Sequence, residues 1–219
     1  MTLTNPALRP GHHLRARRTF LFTHPSPQPI PSLVAQSTII EAGEIHTAIE
    51  RLATAIIERH GPDGRLLILG IANGGIEVAR RLSARITATQ PQLSLLAGTI
   101  DISFHRDDIS SNPIPKEFAP THISADVNGA TVILVDDVLY SGRTVKAALN
   151  ELFDHGRPTK VELAILVDRG GHRLPVAADY CGLVVAASET EKVVVCLDRN
   201  QPERDQIRVE PSINRNAAI

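Results

Sequence analysis

Cysteine is scarce in this chain, since Cys181 and Cys196 are the only two in 219 residues. Two cysteines are too few for the disulfide framework of a small secreted domain, and this pair lacks metal-ligand spacing. The chain also has no apolar run near the roughly 20 residues of a membrane-spanning helix. These absences predict a cytoplasmic protein without a membrane partner. The nine histidines are scattered, so we expect no metal site built by protein ligands alone.

Negative charge is absent from the N-terminal region and exceeds positive charge in the rest of the chain. The first 40 residues contain four arginines and no acid, whereas the whole chain has a net charge of −1, which leaves −5 for residues 41–219. An acidic body is a poor electrostatic partner for a polyanion and argues against RNA binding. Residues 1–37 are rich in Pro, Arg and His and show no helix or strand period, which predicts a disordered extension.

The remaining chain predicts one domain over residues 38–210, followed by a short tail at 211–219. Short apolar runs that suit buried strands alternate with stretches of helical spacing, including one that ends at Leu152 and Phe153. This alternation predicts an α/β fold with a mostly parallel sheet. The predicted strands lie at 66–69, 93–102, 132–135, 161–167, 192–197 and 206–209. Residues 106–128 are polar and carry three prolines, which is typical of a functional loop or lid.

The most informative stretch is 131–150, which combines a buried strand, an acidic tip, a small-residue loop and a helix. Open α/β sheets place ligands at such strand ends. Backbone amides at the helix start favour an anion, and Gly142 lets the main chain approach a phosphate closely. The carboxylates of Asp136 and Asp137 (the acidic pair) can accept hydrogen bonds from ribose hydroxyls or hold Mg²⁺ through water. The same pattern also fits two exposed carboxylates followed by an ordinary helix cap.

The residues Val-Ile-Leu-Val-Asp-Asp-Val-Leu-Tyr-Ser-Gly-Arg-Thr at 132–144 resemble the phosphoribosyl-diphosphate (PRPP) signature of type I phosphoribosyltransferases. Their wording is closest to the PyrR family, whose members attenuate pyrimidine operons and act as uracil phosphoribosyltransferases. Segments at 100–108, 156–158 and 166–180 agree with it in collinear order. The resemblance implies a type I phosphoribosyltransferase-like fold, with a mostly parallel sheet flanked by helices and a flexible lid around 105–110.

The resemblance also implies roles for particular residues. The acidic pair would hold the ribose hydroxyls of PRPP and, with Arg106, form the catalytic group. The 5′-phosphate would lie in the phosphate loop, which comprises Val138, Leu139, Tyr140, Ser141, Gly142, Arg143 and Thr144. Uracil would face the base segment, which comprises Asp168, Arg169 and Gly170. The implied cofactor is Mg²⁺ bound with PRPP, the implied ligands are PRPP, uracil and UMP, and the implied assembly is a homo-oligomer.

One loop departs from the family pattern. The glycine loop, which comprises Ile71, Ala72, Asn73, Gly74 and Gly75, matches a family loop that reads Gly-Ile-(Lys/Arg)-Thr-Arg-Gly and grips pyrophosphate. Ala72 and Gly74 stand at its two basic positions, and His105 replaces the lid tyrosine. Each lost charge-assisted contact is expected to cost about 1.5–3 kcal/mol, so catalysis is expected to be slow.

Three hypotheses follow. The first is a PyrR-like enzyme that makes UMP from uracil and PRPP. The second is a regulator controlled by UMP or UTP, which binds RNA or another partner and retains only vestigial catalysis. The third is a receiver-like signalling domain, in which paired aspartates bind Mg²⁺. Receivers carry that pair near the first strand, whereas here it ends a late strand and precedes a phosphate loop, which disfavours the third hypothesis.

Overall fold

The computed structural model describes residues 39–62, 65–103 and 120–212, which contain eight strands and three α-helices. Their bounds are β1 Ile39–Glu41, α1 Ala42–His60, β2 Arg65–Ile71, α2 Gly74–Thr89, β3 Ser94–Ile100, β4 Thr131–Leu139, α3 Arg143–His155, β5 Lys160–Asp168, β6 Tyr180–Val184, β7 Glu191–Cys196 and β8 Gln206–Pro211. A 3₁₀ turn, Pro202–Arg204, precedes β8.

The main sheet has five parallel strands in the order β3-β2-β4-β5-β6. Strand β4 is central, and its Ile133 pairs with Ile68 of β2 on one side and Glu162 of β5 on the other. A central parallel strand is covered on both faces, which explains the unbroken apolar run in β4. The predicted α/β fold with a mostly parallel sheet is therefore confirmed.

The helices divide between the two faces of this sheet. Helices α1 and α2 pack with Ile68 and Ile133 in one buried cluster, whereas α3 packs with Leu67 and Leu134 in another. Successive strand residues point to opposite faces, so neighbouring residues of one strand enter different clusters. The prediction that Phe153 belongs to the buried apolar stripe of α3 was wrong. Phe153 is 40% exposed and lies under the guanidinium of Arg157. It lies at the margin of the stripe, where the packed face ends.

A second sheet has three antiparallel strands in the order β1-β8-β7. The closing strands at 192–197 and 206–209 were predicted, but β1, the antiparallel partner of β8, was not, since three residues are too few to show a period. Asp205 is fully buried and joins this sheet to both helices of one face. Its carboxylate accepts from His46 of α1 at 2.9 Å and from Arg81 Nη2 of α2 at 3.1 Å.

Several predicted features lie outside the described residues. They are the extension at 1–37, the lid at 105–110 with Arg106, and the tail beyond residue 212. Within the described ranges, none of the helices combines the length and apolar character that crossing a membrane requires.

Candidate functional site

The acidic pair lies in the part of β4 that extends beyond the end of its pairing with β2. Pairing of β4 with β2 ends at Gly70↔Val135, whereas pairing of β4 with β5 continues to Leu139↔Asp168. The predicted strand was too short, because Asp136 and Asp137 lie within β4 and not after it. The carboxyl ends of β2, β4 and β5 therefore surround the two carboxylates, in the crevice position where open α/β sheets bind ligands.

Asp136 is buried, and Asp137 is partly buried. Asp136 is 5% exposed, and its Oδ1 accepts from the amide of Asp137 at 3.0 Å. The Oδ1 of Asp137 accepts in turn from the amide of Val138 at 2.8 Å. Burial, and then repulsion by Asp137, hold the pKa of Asp136 well above its usual range. Burial also raises the pKa of Asp137. A site of this kind attracts a cation or hydroxyl donors, since either relieves the buried negative charge.

The predicted phosphate loop connects β4 to α3. Gly142 precedes the helix in the left-handed conformation (φ +85°), which glycine adopts without strain. The Ser141 hydroxyl oxygen accepts from the amide of Arg143 at 3.3 Å, which closes the turn. The loop therefore ends at the positive end of the α3 dipole, as anion binding requires.

The glycine loop packs directly on the acidic pair. A Cβ on Gly75 would lie 2.1 Å from the carbonyl oxygen of Val135, and one on Gly74 would lie 2.3 Å from Oδ2 of Asp137. The amide of Ala72 donates to the carbonyl of Ile100 at 2.9 Å, and the peptide bond between Ala72 and Asn73 is cis. The glycines at 74 and 75 are therefore required for close contact with β4, besides their effect on the charge of the loop.

The base segment follows β5, on the other side of the acidic pair. The Oδ1 of Asp168 accepts from the amide of Gly170 at 2.8 Å and contacts His172 Nε2 at 2.9 Å. Gly170 and Gly171 both have positive φ, at 70° and 72°. Asp168 therefore shapes a tight turn whose backbone lies beside the phosphate loop, since the amide of Arg169 donates to the carbonyl of Leu139 at 3.1 Å.

Arg169 is a residue whose position the sequence did not reveal. It is 8% exposed, and its guanidinium lies 3.8 Å from the ring centroid of Tyr140. A polar Asp-Arg-Gly segment is typical of a surface turn, and no residue pattern in it marks a buried arginine. The equal register of β4 and β5, with Leu139 opposite Asp168, is the feature that makes residues 140 and 169 neighbours.

The structure thus brings together the described members of three predicted sets: the acidic pair, the phosphate loop and the glycine loop, with the base segment beside them. Arg106 lies outside the described residues. In the described part of the chain, no three His, Cys, Asp or Glu side chains converge to hold a metal ion. Oxygen ligands of the acidic pair nevertheless suit Mg²⁺, which usually binds through one or two carboxylates together with substrate phosphates.

Comparison with known proteins identifies the family to which this fold belongs. The phosphoribosyl transferase domain family matches residues 36–200. The bifunctional protein PyrR of Elusimicrobium minutum is 40% identical over 162 residues, which cover 74% of this chain and 90% of the relative. That of Deinococcus deserti is 44% identical over 163 residues, which cover 72% and 87%.

Solved structures show the same fold at lower identity. A hypoxanthine-guanine phosphoribosyltransferase of Bacillus anthracis superposes with a TM-score of 0.57 at 20% identity, covering 78% of this chain and 99% of that one. A hypoxanthine phosphoribosyltransferase of Trypanosoma cruzi gives 0.57 at 20% identity, covering 83% and 94%. The fold, the domain match and the identity to these relatives agree: this chain belongs to the phosphoribosyltransferase family and, within it, to the PyrR family.

Proposed function

We propose that this protein transfers the phosphoribosyl group of PRPP to uracil, producing UMP and pyrophosphate. The observation that carries the proposal is the acidic pair near the carboxyl end of β4, with the phosphate loop following the same strand and the glycine loop following the neighbouring strand β2. A phosphoribosyl donor presents hydroxyls, a 5′-phosphate and a pyrophosphate within one molecule, and these three elements offer one complementary group to each.

The acidic pair is proposed to accept hydrogen bonds from the ribose 2′- and 3′-hydroxyls. The amides of the phosphate loop, at the start of α3, are proposed to hold the 5′-phosphate. The base segment offers backbone groups to the amide-like edge of uracil. In the reaction, a ring N–H of uracil loses its proton to solvent and its nitrogen forms a bond to ribose C1, while the bond from C1 to a pyrophosphate oxygen breaks and pyrophosphate leaves with the bonding electrons. The protein contributes orientation and stabilisation of the positive charge that develops on the ribose.

Mg²⁺ is proposed to enter with PRPP, where it supplies charge neutralisation for the departing pyrophosphate. The acidic pair fits this cation because both groups are oxygen ligands with raised pKa values and would ionise more readily beside it. Arg106 remains a predicted catalytic residue outside the described ranges. A homo-oligomer and a cytoplasmic location also remain predictions.

The direct test measures UMP formation from labelled uracil and PRPP with Mg²⁺, with cytosine, hypoxanthine and guanine as competing bases. We expect UMP and no other nucleotide, at a low rate. Asp137→Asn is the variant that tests the ribose site, because it keeps the shape of the side chain and removes its charge. We expect it to abolish both turnover and the thermal shift caused by UMP. A thermal shift that Asp137→Asn leaves unaltered would contradict the proposed ribose site, and a purine nucleotide as product would contradict the proposed base.

The glycine loop favours a second candidate function, a regulator that binds UMP or UTP with vestigial catalysis. Ala72 and Gly74 offer no cation to pyrophosphate, whereas the ribose and 5′-phosphate groups of the site do not depend on them. The two candidates differ in one measurement. UMP binding with no UMP formation, even at high enzyme concentration, would favour the regulator.

A further inference from the structure

Arg169 belongs to the base segment by sequence, but its side chain is directed elsewhere. Its Nη1 donates to the carbonyl of Glu191 at 3.2 Å, and its Nη2 donates to the carbonyl of Ser188 at 3.0 Å. Both acceptors lie in the connection between β6 and β7 or at the start of β7. The guanidinium thus holds the backbone of residues 187–191 through Nη1 and Nη2.

The same guanidinium also contacts the phosphate loop. It stacks at 3.8 Å over the ring of Tyr140, the first residue after β4. Gly171 lies against the same ring, since a Cβ on that glycine would come within 3.0 Å of Tyr140 Cε2. A cation over an aromatic face is most favourable when it is desolvated, as Arg169 is. Tyr140 is therefore fixed by two residues that flank the base segment's turn.

Further backbone contacts join the two loops. The carbonyl of Ser141 accepts from the amides of Arg173 and Leu174 at 3.2 and 3.1 Å. Leu174 also lies against the phosphate loop, since a Cβ added to Gly142 would be 3.2 Å from the Cβ of Leu174. Movement of residues 140–142 would therefore break these contacts with residues 169–174 unless both segments moved together.

We propose that Arg169 is a positioning residue that couples the phosphate loop to the base segment through its stack on Tyr140, so that an occupied 5′-phosphate site raises the affinity for the base. This inference rests on the proposed function. Phosphate binding fixes the loop around Tyr140, the stack then fixes Arg169, and Arg169 fixes the turn and residues 187–191. Coupling of this kind is reciprocal, so the base must raise the affinity for the phosphoribosyl group by the same factor.

The experiment measures uracil affinity by calorimetry, with Mg²⁺ present, in the absence and presence of saturating ribose 5-phosphate. For the unmodified protein we expect ribose 5-phosphate to raise uracil affinity about tenfold, within the usual range of coupling between two sites. In Arg169→Met, which keeps the apolar stem and loses the fork, we expect this ratio to fall to about twofold or less.

Two variants at Tyr140 make the test specific. Tyr140→Phe keeps the ring and is expected to keep the coupling ratio, whereas Tyr140→Leu is expected to lose it to the same extent as Arg169→Met. The double variant Tyr140→Leu/Arg169→Met is expected to lose no more coupling than either single change, because both break the same contact. These variants also cover the case in which Arg169→Met fails to fold, since Tyr140 is only half-buried.

The outcomes separate this inference from the proposed function. An unchanged coupling ratio in Tyr140→Leu or in Arg169→Met overturns the positioning role, even if both variants melt at lower temperature, because a merely structural residue would weaken both ligands in parallel. A ratio of one in the unmodified protein, with UMP still bound and formed, overturns the inference and leaves the proposed function intact. Failure of the unmodified protein to bind uracil, ribose 5-phosphate or UMP overturns both.

Discussion

At the residue scale, the chain contains buried aspartates in opposite environments. Asp136 has a carboxylate neighbour, and burial followed by repulsion from Asp137 raises its pKa. Burial also acts to raise the pKa of Asp205, but hydrogen bonds from Arg81, the Asp198 amide and His46 outweigh it and lower that pKa. The environment of Asp136 destabilises its negative charge, which a bound cation or hydroxyl donor would relieve. The environment of Asp205 stabilises its negative charge, which holds the antiparallel sheet against α1 and α2.

The first prediction concerns Asp136→Asn, which we expect to stabilise the fold. A raised pKa means that the folded protein keeps this proton over a range in which the unfolded chain has lost it. The contribution of Asp136 to the free energy of unfolding therefore falls as pH rises above about 4. The gain from Asp136→Asn should be small near pH 4 and grow towards pH 8, with about 2–4 °C in melting temperature for each kcal/mol. Melting scans from pH 4 to 8 measure it.

Asp205→Asn is the control for that prediction and should have the opposite sign. Its lowered pKa contributes stability above the usual aspartate pKa, and that contribution is lost as pH falls through the folded value. We expect Asp205→Asn to lower the melting temperature at pH 7. Equal responses of the two variants to pH would contradict the assigned environments.

At the element scale, the junction between β2 and α2 is set by close contact with β4. Gly75 lies against the carbonyl of Val135, where a Cβ would be only 2.1 Å from the oxygen. Backbone atoms cannot move aside as a flexible side chain can, so α2 itself would have to shift. The start of α2 and the acidic pair are thus positioned together.

The second prediction follows from this contact. Gly75→Ala should destabilise the fold by about 1–3 kcal/mol, the usual result of overpacking, and should weaken UMP binding because Asp136 lies beside the displaced backbone. Gly43→Ala is the matched control, since it lies in α1 with no atom within 4 Å of a Cβ. We expect that variant to be neutral or slightly stabilising. Chemical unfolding with and without UMP compares the two, and equal stability would refute the contact.

The third prediction concerns the cations that the glycine loop lacks. Ala72→Arg should raise UMP formation, because each restored charge-assisted contact to pyrophosphate is worth about 1.5–3 kcal/mol. Gly74→Arg should not raise UMP formation, because the added Cβ would lie 2.3 Å from Oδ2 of Asp137 and would displace that carboxylate. Single-turnover rates at saturating PRPP measure both variants, with Ala72→Gln as a neutral control. An equal gain from Ala72→Gln would show that charge is not the cause.

At the scale of the whole molecule, two sheets are held together and the net charge is acidic. The antiparallel sheet β1-β8-β7 is joined through Asp205 to α1 and α2, the helices that cover one face of the parallel sheet. Relatives in its family are named bifunctional proteins. In this chain, residues 41–219 carry a net charge of −5. Long-range electrostatics therefore oppose the approach of a polyanion.

The fourth prediction is that the protein shows no salt-sensitive affinity for pyrimidine-leader RNA. Contacts between cations and phosphates release counterions, so genuine RNA binding weakens steeply as salt rises. Fluorescence anisotropy from 50 to 300 mM salt measures this slope, and removal of residues 1–37 tests the only basic stretch separately. A steep slope that survives the truncation would contradict the prediction and assign a binding surface to the acidic body.

Much of this protein could be predicted from its sequence, because the relevant forces act locally. Apolar runs predicted strands such as β2, β4 and β5, and helical spacing predicted α1 to α3. The residues at 132–144 indicated a phosphoribosyl site because the strand, the acids and the glycine turn are consecutive in the chain. The extent of β4 was missed, because Asp136 and Asp137 are polar and remain in the strand only through pairing with β5.

Other features were decided by residues that are distant in the sequence. The stack of Arg169 on Tyr140 depends on the register of β4 against β5, and the burial of Asp205 depends on helices more than 120 residues away. The glycine loop is the clearest example of this difference. Its composition indicated that two cations had been lost, whereas the structure shows that Gly74 and Gly75 leave space for Asp137 and for the backbone of β4. Composition and period are properties of neighbouring residues, and the sequence alone determined the fold class and the order of strand, turn and helix at residues 131–150. Close contact between separate strand ends arises only when the chain is packed, so only the tertiary structure decided how the site is supported.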